Sequence, residues 1–172
     1  MRDQRQRLAG MGQSPSRPLF YDDINEVMSG CNYQLISVAI RKDRLVAQYA
    51  CPADPYDLSL LFALERLVSV LEANSQTDVV IVAEKRGAKE DCQLHVAFQR
   101  IVTSGSAYVD GARFRRINFT LRFIPKAMNI IGTQLADLAA YPVARYVLDT
   151  TKANPAFEVV QTKLCRRLKI FP

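Results

Sequence analysis

The sequence predicts an α/β protein on three observations. Helical and extended hydrophobic patterns alternate along the 172 residues, the order expected when helices are layered on a sheet. The apolar run Val79-Val80-Ile81-Val82-Ala83 has the length and character of a strand covered on both sides. In Ile131–Tyr141, Leu135, Leu138 and Ala139 recur at helical spacing, with the carboxylate of Asp137 on the opposite side beside Gln134 and Tyr141.

Composition sets the bounds. The chain is 49% hydrophobic and 23% charged, as in an ordinary globular protein, and its length fits one domain with a sizeable core. Its apolar runs are too short to cross a bilayer, so no membrane partner is expected. No apolar stretch follows Met1-Arg2-Asp3-Gln4-Arg5-Gln6-Arg7, which therefore does not read as a secretory signal; a cytoplasmic location is the expectation. Cys31, Cys51, Cys92 and Cys165 are scattered without CxxC pairing and are expected as buried thiols. The single histidine, His95, excludes a histidine-rich zinc centre and is expected to be structural. Chemistry is then left to carboxylates and to cations that prefer oxygen, Mg2+ or Mn2+.

Lysine and arginine number 23 against 17 acids, a net charge of +6. The excess, with clusters at Arg113-Arg115-Arg116 and Arg166-Arg167-Lys169, fits a polyanionic partner such as DNA or RNA as well as it fits a basic soluble surface.

Along the chain, residues 1–18 lack periodicity and are expected to be poorly ordered, with the folded domain over 19–172. A short helix is predicted over Tyr21–Met28, stopped by Ser29-Gly30. Tyr33–Ile40 reads as a strand, Arg41–Arg44 as a turn, and Leu45–Tyr49 as a returning strand. Pro52-Ala53-Asp54-Pro55 then precedes a strong helix from Tyr56 to Ala73, with Leu60, Leu64, Leu67 and Leu71 inward and Glu65 at the edge of that face. The strand Val79–Glu84 follows. Next come a helix over Lys89–Ser104, a strand over Ile117–Ile124, the Asp137 helix and a last helix over Pro155–Arg167. Pro142 is expected to kink the Asp137 helix without ending it, because Val143, Tyr146 and Val147 continue the apolar pattern.

Three acids stand out: Glu65 on a helix, Glu84 at the carboxyl end of a strand, and Asp137 on a late helix. Ligands of α/β sheets gather beyond the carboxyl ends of strands, where Glu84 is placed. Carboxylates brought together repel one another unless a cation sits between them, so a shared pocket would be a divalent-metal site.

These acids and their neighbours resemble a bacterial and phage family defined only as a domain of unknown function, the DUF3800 family. The resemblance rests on Asp54-Pro55-Tyr56, Leu64-Glu65-Arg66-Leu67, Ala83–Asp91 and Asn129–Leu138, and runs from Phe20 to the C-terminus. It implies a ribonuclease-H-like mixed central sheet flanked by helices, with Glu65, Glu84 and Asp137 as catalytic acids and ligands of Mg2+ or Mn2+. Glu90 and Asp91 match a further acidic pair, which a helix start would equally favour through its dipole. Arg86, Lys126 and Gln134 are accessory candidates, Lys126 as a phosphate contact. Family members open with a strand carrying Asp-Glu-Ser-Gly, and its aspartate resembles a first metal ligand. Here the segment before Phe20 is polar and contains proline, so the resemblance implies an N-terminally incomplete sheet and a site short of one ligand.

Three functions follow as expectations. One is a divalent-metal-dependent nuclease hydrolysing phosphodiesters, or an inactive truncated remnant of one. Another is a non-catalytic module binding nucleic acid or a partner. The third is a fragment without activity, its open sheet inviting aggregation.

Overall fold

Asp54 and Pro55 show how local chemistry sets the architecture. In the computed structural model, which describes residues 17–172, the Asp54 side chain accepts hydrogen bonds from the amides of Tyr56 and Asp57. Pro55 takes the first helical position, where its missing N–H costs nothing. The long helix begins there, within one residue of the sequence expectation. The segment 1–18, expected to be poorly ordered, falls almost wholly outside the described residues.

The chain divides into a unit ending at Tyr33 and a unit spanning Gln34–Pro172. The first contains helix α1 (Arg17–Gly30), longer at its start than expected and ending at the predicted stop. The second contains β1 (Val38–Ile40), α2 (Lys42–Gln48), α3 (Pro55–Ala73), β2 (Asp78–Glu84), α4 (Ala88–Ser104), α5 (Gly111–Arg115) and β3 (Asn118–Ile124). A single 3-10 turn over Lys126–Met128 leads to α6 (Ile131–Leu148), α7 (Pro155–Lys163) and β4 (Lys169–Phe171).

The mixed α/β class holds. In place of one mixed central sheet, the described residues form two parallel two-stranded sheets, β1–β4 and β2–β3. β2 and β3 pair in register from Asp78↔Asn118 to Glu84↔Ile124, with α4 and α5 forming the crossover that a parallel pair needs. The expected returning strand over Leu45–Tyr49 is instead part of α2 and the residue that caps it. The Arg41 guanidinium holds Asp43 at 2.8 Å in the first turn, and Leu45 is buried at 2% exposure. Local side-chain pairing and one buried leucine thus override an alternating pattern that is short and weak. The last helix also ends four residues early, because Leu164 leaves it to bridge Leu35 and Lys169–Phe171 pairs with β1.

The core of the second unit centres on Leu64, Val68, Phe98, Ile101 and Phe114, with Val79 and Ile81 of β2 and Phe119 and Leu121 of β3 packed against it. Burial is one-sided. Val80 is 54% and Val82 38% exposed, which corrects the expectation of a strand covered on both faces. A continuous apolar run cannot reveal which face lacks a cover, since its side chains alternate regardless. α6 does run through Pro142, a buried residue whose carbonyl accepts a hydrogen bond from the Asn154 side-chain amide at 2.9 Å. Ala139 and Val143 of α6 are buried, whereas Leu138 is 36% exposed and Tyr141 73%.

Candidate functional site at the carboxyl end of the β2–β3 sheet

Because β2 and β3 are parallel and in register, both release the chain at the same edge, at Glu84 and Ile124. The Lys85 amide closes the ladder on the Ile124 carbonyl at 2.9 Å. Beyond that edge run the Lys85-Arg86-Gly87 turn into α4 and the 3-10 turn into α6. This is the edge at which parallel sheets commonly meet their ligands.

Glu84 is one-third exposed, and its Oε1 lies 3.9 Å from the Nζ of Lys126, itself 80% exposed. Such a wet pair contributes little to stability, and it leaves Glu84 with a cation for its neighbour. Arg86 is exposed, and its backbone amide donates to the Asp91 carboxylate at 3.0 Å. Gly87 caps α4 at a φ of +150°, and a Cβ there would press on the Glu90 carboxylate. Glu90 and Asp91 thus serve the start of α4, where unpaired amides and the helix dipole favour negative charge. The side chains of Lys85, Arg86 and Lys89 form no ion pair among the described residues.

On the α6 side, Asn129 adopts the left-handed conformation at a φ of +49°. Its side-chain oxygen accepts a hydrogen bond from the Gln134 amide. Gln134 therefore stiffens the entry to α6. Asp137 is exposed on the outer face of that helix, as the spacing predicted. α6 packs against both β1 and β2.

Glu65 sits elsewhere. Its carboxylate accepts a hydrogen bond from the Ser106 hydroxyl at 2.5 Å. α4 carries the chain from the carboxyl end of β2 back toward the amino end of β3, and Ser106 lies just beyond its last turn. Glu65 is thereby tied to the loop at the amino end of the sheet, and Glu84 closes β2 at the other end. The structure brings Glu84, Lys126, Arg86, Glu90 and Asp91 to one edge; it does not bring Glu65 there. Among the described residues no three His, Cys, Asp or Glu side chains are grouped to hold a metal ion. As placed, the acids do not fit Mg2+ or Mn2+: a lysine ammonium, not a second carboxylate, neighbours Glu84.

Away from this edge, fixed partners hold two carboxylates in their charged form. Hydrogen bonds from Arg113 hold Glu72 below the usual carboxylate range, and those from Asn118 and Thr77 do the same for Asp78. The basic clusters divide in the same way. Arg113 pairs with Glu72 and Arg115 donates to the Thr103 carbonyl at 3.1 Å. Lys169 lies over the rings of Phe62 and Phe171, 4.9 and 5.7 Å from their centroids. Arg166 and Arg167 have no ion-pair or hydrogen-bond partner among the described residues and remain exposed. Sequence reasoning did not find Ser106; no spacing rule links a loop serine to a helix acid 41 positions away.

Comparisons with protein-family profiles, curated proteins and solved structures found no match to this chain.

Proposed function

We propose that this chain is a nucleic-acid-binding module on a ribonuclease-H-like scaffold, of the kind its sequence words resemble. One observation carries the reading. At the carboxyl end of the β2–β3 sheet, Glu84 is met by Lys126, and Glu90 and Asp91 serve the start of α4, so the side chains of Lys85, Arg86 and Lys89 suit phosphate more than a hard cation. The net charge of +6 adds a long-range attraction to a polyanion.

The test is fluorescence anisotropy with labelled single- and double-stranded DNA and RNA oligonucleotides in the presence of a chelator, over a salt series. Binding that survives chelation and weakens with salt supports the reading. Absence of binding to every oligonucleotide at low salt overturns it.

A metal-dependent nuclease is the second reading, supported by the family words around Glu84 and Asp137 and not by the placement of the acids. Cleavage by the unaltered chain with Mg2+ or Mn2+, lost in both Glu84→Gln and Asp137→Asn, would place it ahead of the first.

A further inference from the structure

Away from that edge, where α7 gives way to β4, the surface opens into a cleft of about 420 Å³. One wall is an aromatic slab: the rings of Tyr146 and Phe157 stack with centroids 3.9 Å apart and planes 9° from parallel. Phe157 is buried and anchors the slab, while Tyr146 is only partly buried and its hydroxyl makes no hydrogen bond among the described residues. Ile170, 42% exposed, supplies apolar surface along the same cleft. The exposed Gln161 and the unpaired Arg166 and Arg167 complete it. A flat apolar wall, one free amide and two free guanidinium groups are what a nucleotide asks for: a face to stack on, a partner for a base edge, and planar donors for phosphate oxygens.

We propose that this cleft seats one nucleotide of a single-stranded nucleic acid. The base packs on the Tyr146 side and against Ile170, Gln161 reaches its edge, and Arg166 and Arg167 hold the adjoining phosphates. Lys169, three residues on, takes no part, because its ammonium is already engaged by the Phe62 and Phe171 rings. The proposal rests on the nucleic-acid reading above but concerns a different surface.

The experiment compares a fluorescently labelled single-stranded oligonucleotide binding to the full chain and to Arg166→Ala/Arg167→Ala, Gln161→Ala and Tyr146→Leu variants, with inorganic polyphosphate as competitor. Both arginines are exposed, so the double variant should keep the parent's circular dichroism and melting. It should bind about 10-fold more weakly, with the salt slope reduced by about 1.4 for two lost phosphate contacts. Tyr146→Leu keeps an apolar wall without a ring and should weaken the oligonucleotide more than polyphosphate. Ultraviolet crosslinking of the bound oligonucleotide should map to Tyr146. If the parent binds and the double variant binds equally well with an unchanged slope, the cleft assignment falls and the wider reading stands. Equal loss for polyphosphate and oligonucleotide in every variant would overturn the base-stacking part. If the parent binds no oligonucleotide, both proposals fall together.

Discussion

The hydroxyl of Ser106 donates to the carboxylate of Glu65 at 2.5 Å while its own oxygen accepts from the amides of Tyr108 and Val109 at 3.2 and 3.0 Å. One side chain thus closes the loop after α4 and ties it to the middle of α3. This makes Glu65 a structural acid in this conformation, and it separates two ideas that the sequence had joined: a carboxylate in a family word and a carboxylate at the site.

Ser106→Ala should therefore destabilise the fold by about 1–3 kcal/mol, because the mutation orphans a half-buried carboxylate and two turn amides together. Urea denaturation reads the change. Nucleic-acid affinity should stay within about twofold of the parent, since the loop lies at the other end of the sheet from Glu84. A large loss of affinity without loss of stability would return Glu65 to the site.

Gly105 offers a sharper structural test. It ends α4 at a φ of +76°, and a Cβ there would collide with the backbone of Val109, Asp110 and Gly111. Neighbouring backbone cannot swing aside as a flexible side chain can. Gly105→Ala should cost about 3 kcal/mol or more, read as a lowered denaturation midpoint. A near-neutral result would show that the loop is not closed in solution as it is here, where Gly105 and Asp110 form an isolated antiparallel bridge.

At the sheet edge, Glu84→Gln and Lys126→Ala should move in opposite directions. Removing the acid leaves Lys126 free and should tighten oligonucleotide binding by about twofold to fivefold; removing the lysine should weaken it by a similar factor. Anisotropy at fixed low salt measures both. Weaker binding on Glu84→Gln would mean that the carboxylate itself contacts the ligand.

Acid titration should show two carboxylates far below the ordinary aspartate value of 3.8. The Arg41 hydrogen bond pushes Asp43 down to about 2, and the hydroxyl and amide of Thr151, with Lys152, push Asp149 to about 2. Folded values below the unfolded one mean that both groups favour the fold above pH 3.8, and that this contribution disappears as pH falls toward 2. Carboxyl-detected NMR titration should place both midpoints near 2, and Asp43→Asn should flatten that part of the acid-stability curve. Midpoints near 4 would show that these surface contacts do not persist in solution.

Strong periodicity made some elements readable and missing partners made others opaque. α3 was legible from Leu60, Leu64, Leu67 and Leu71, with Asp54-Pro55 marking its start. α6 was legible through Pro142 because the apolar stripe resumes beyond it. α2 was misread because Leu45–Tyr49 is too short for its period to be decided, and what settles it is the Arg41–Asp43 pair. β4 and α5 were missed; three and five residues carry no usable period. At the site, Glu84 and Lys126 could each be picked out, but not their proximity. Arg166 and Arg167 were visible as charge, whereas the aromatic slab beside them depends on two rings eleven positions apart on different helices.

The wet face of β2 has a practical consequence. Val80 and Val82 pair in register with Thr120 and Arg122, so a single cation is the main deterrent to another molecule settling on those valines. Sulfate and other salting-out ions, which sharpen the penalty for wetting hydrocarbon, should bring this protein out of solution early in purification. Replacing Val80 with threonine is the simplest way to keep concentrated samples clear.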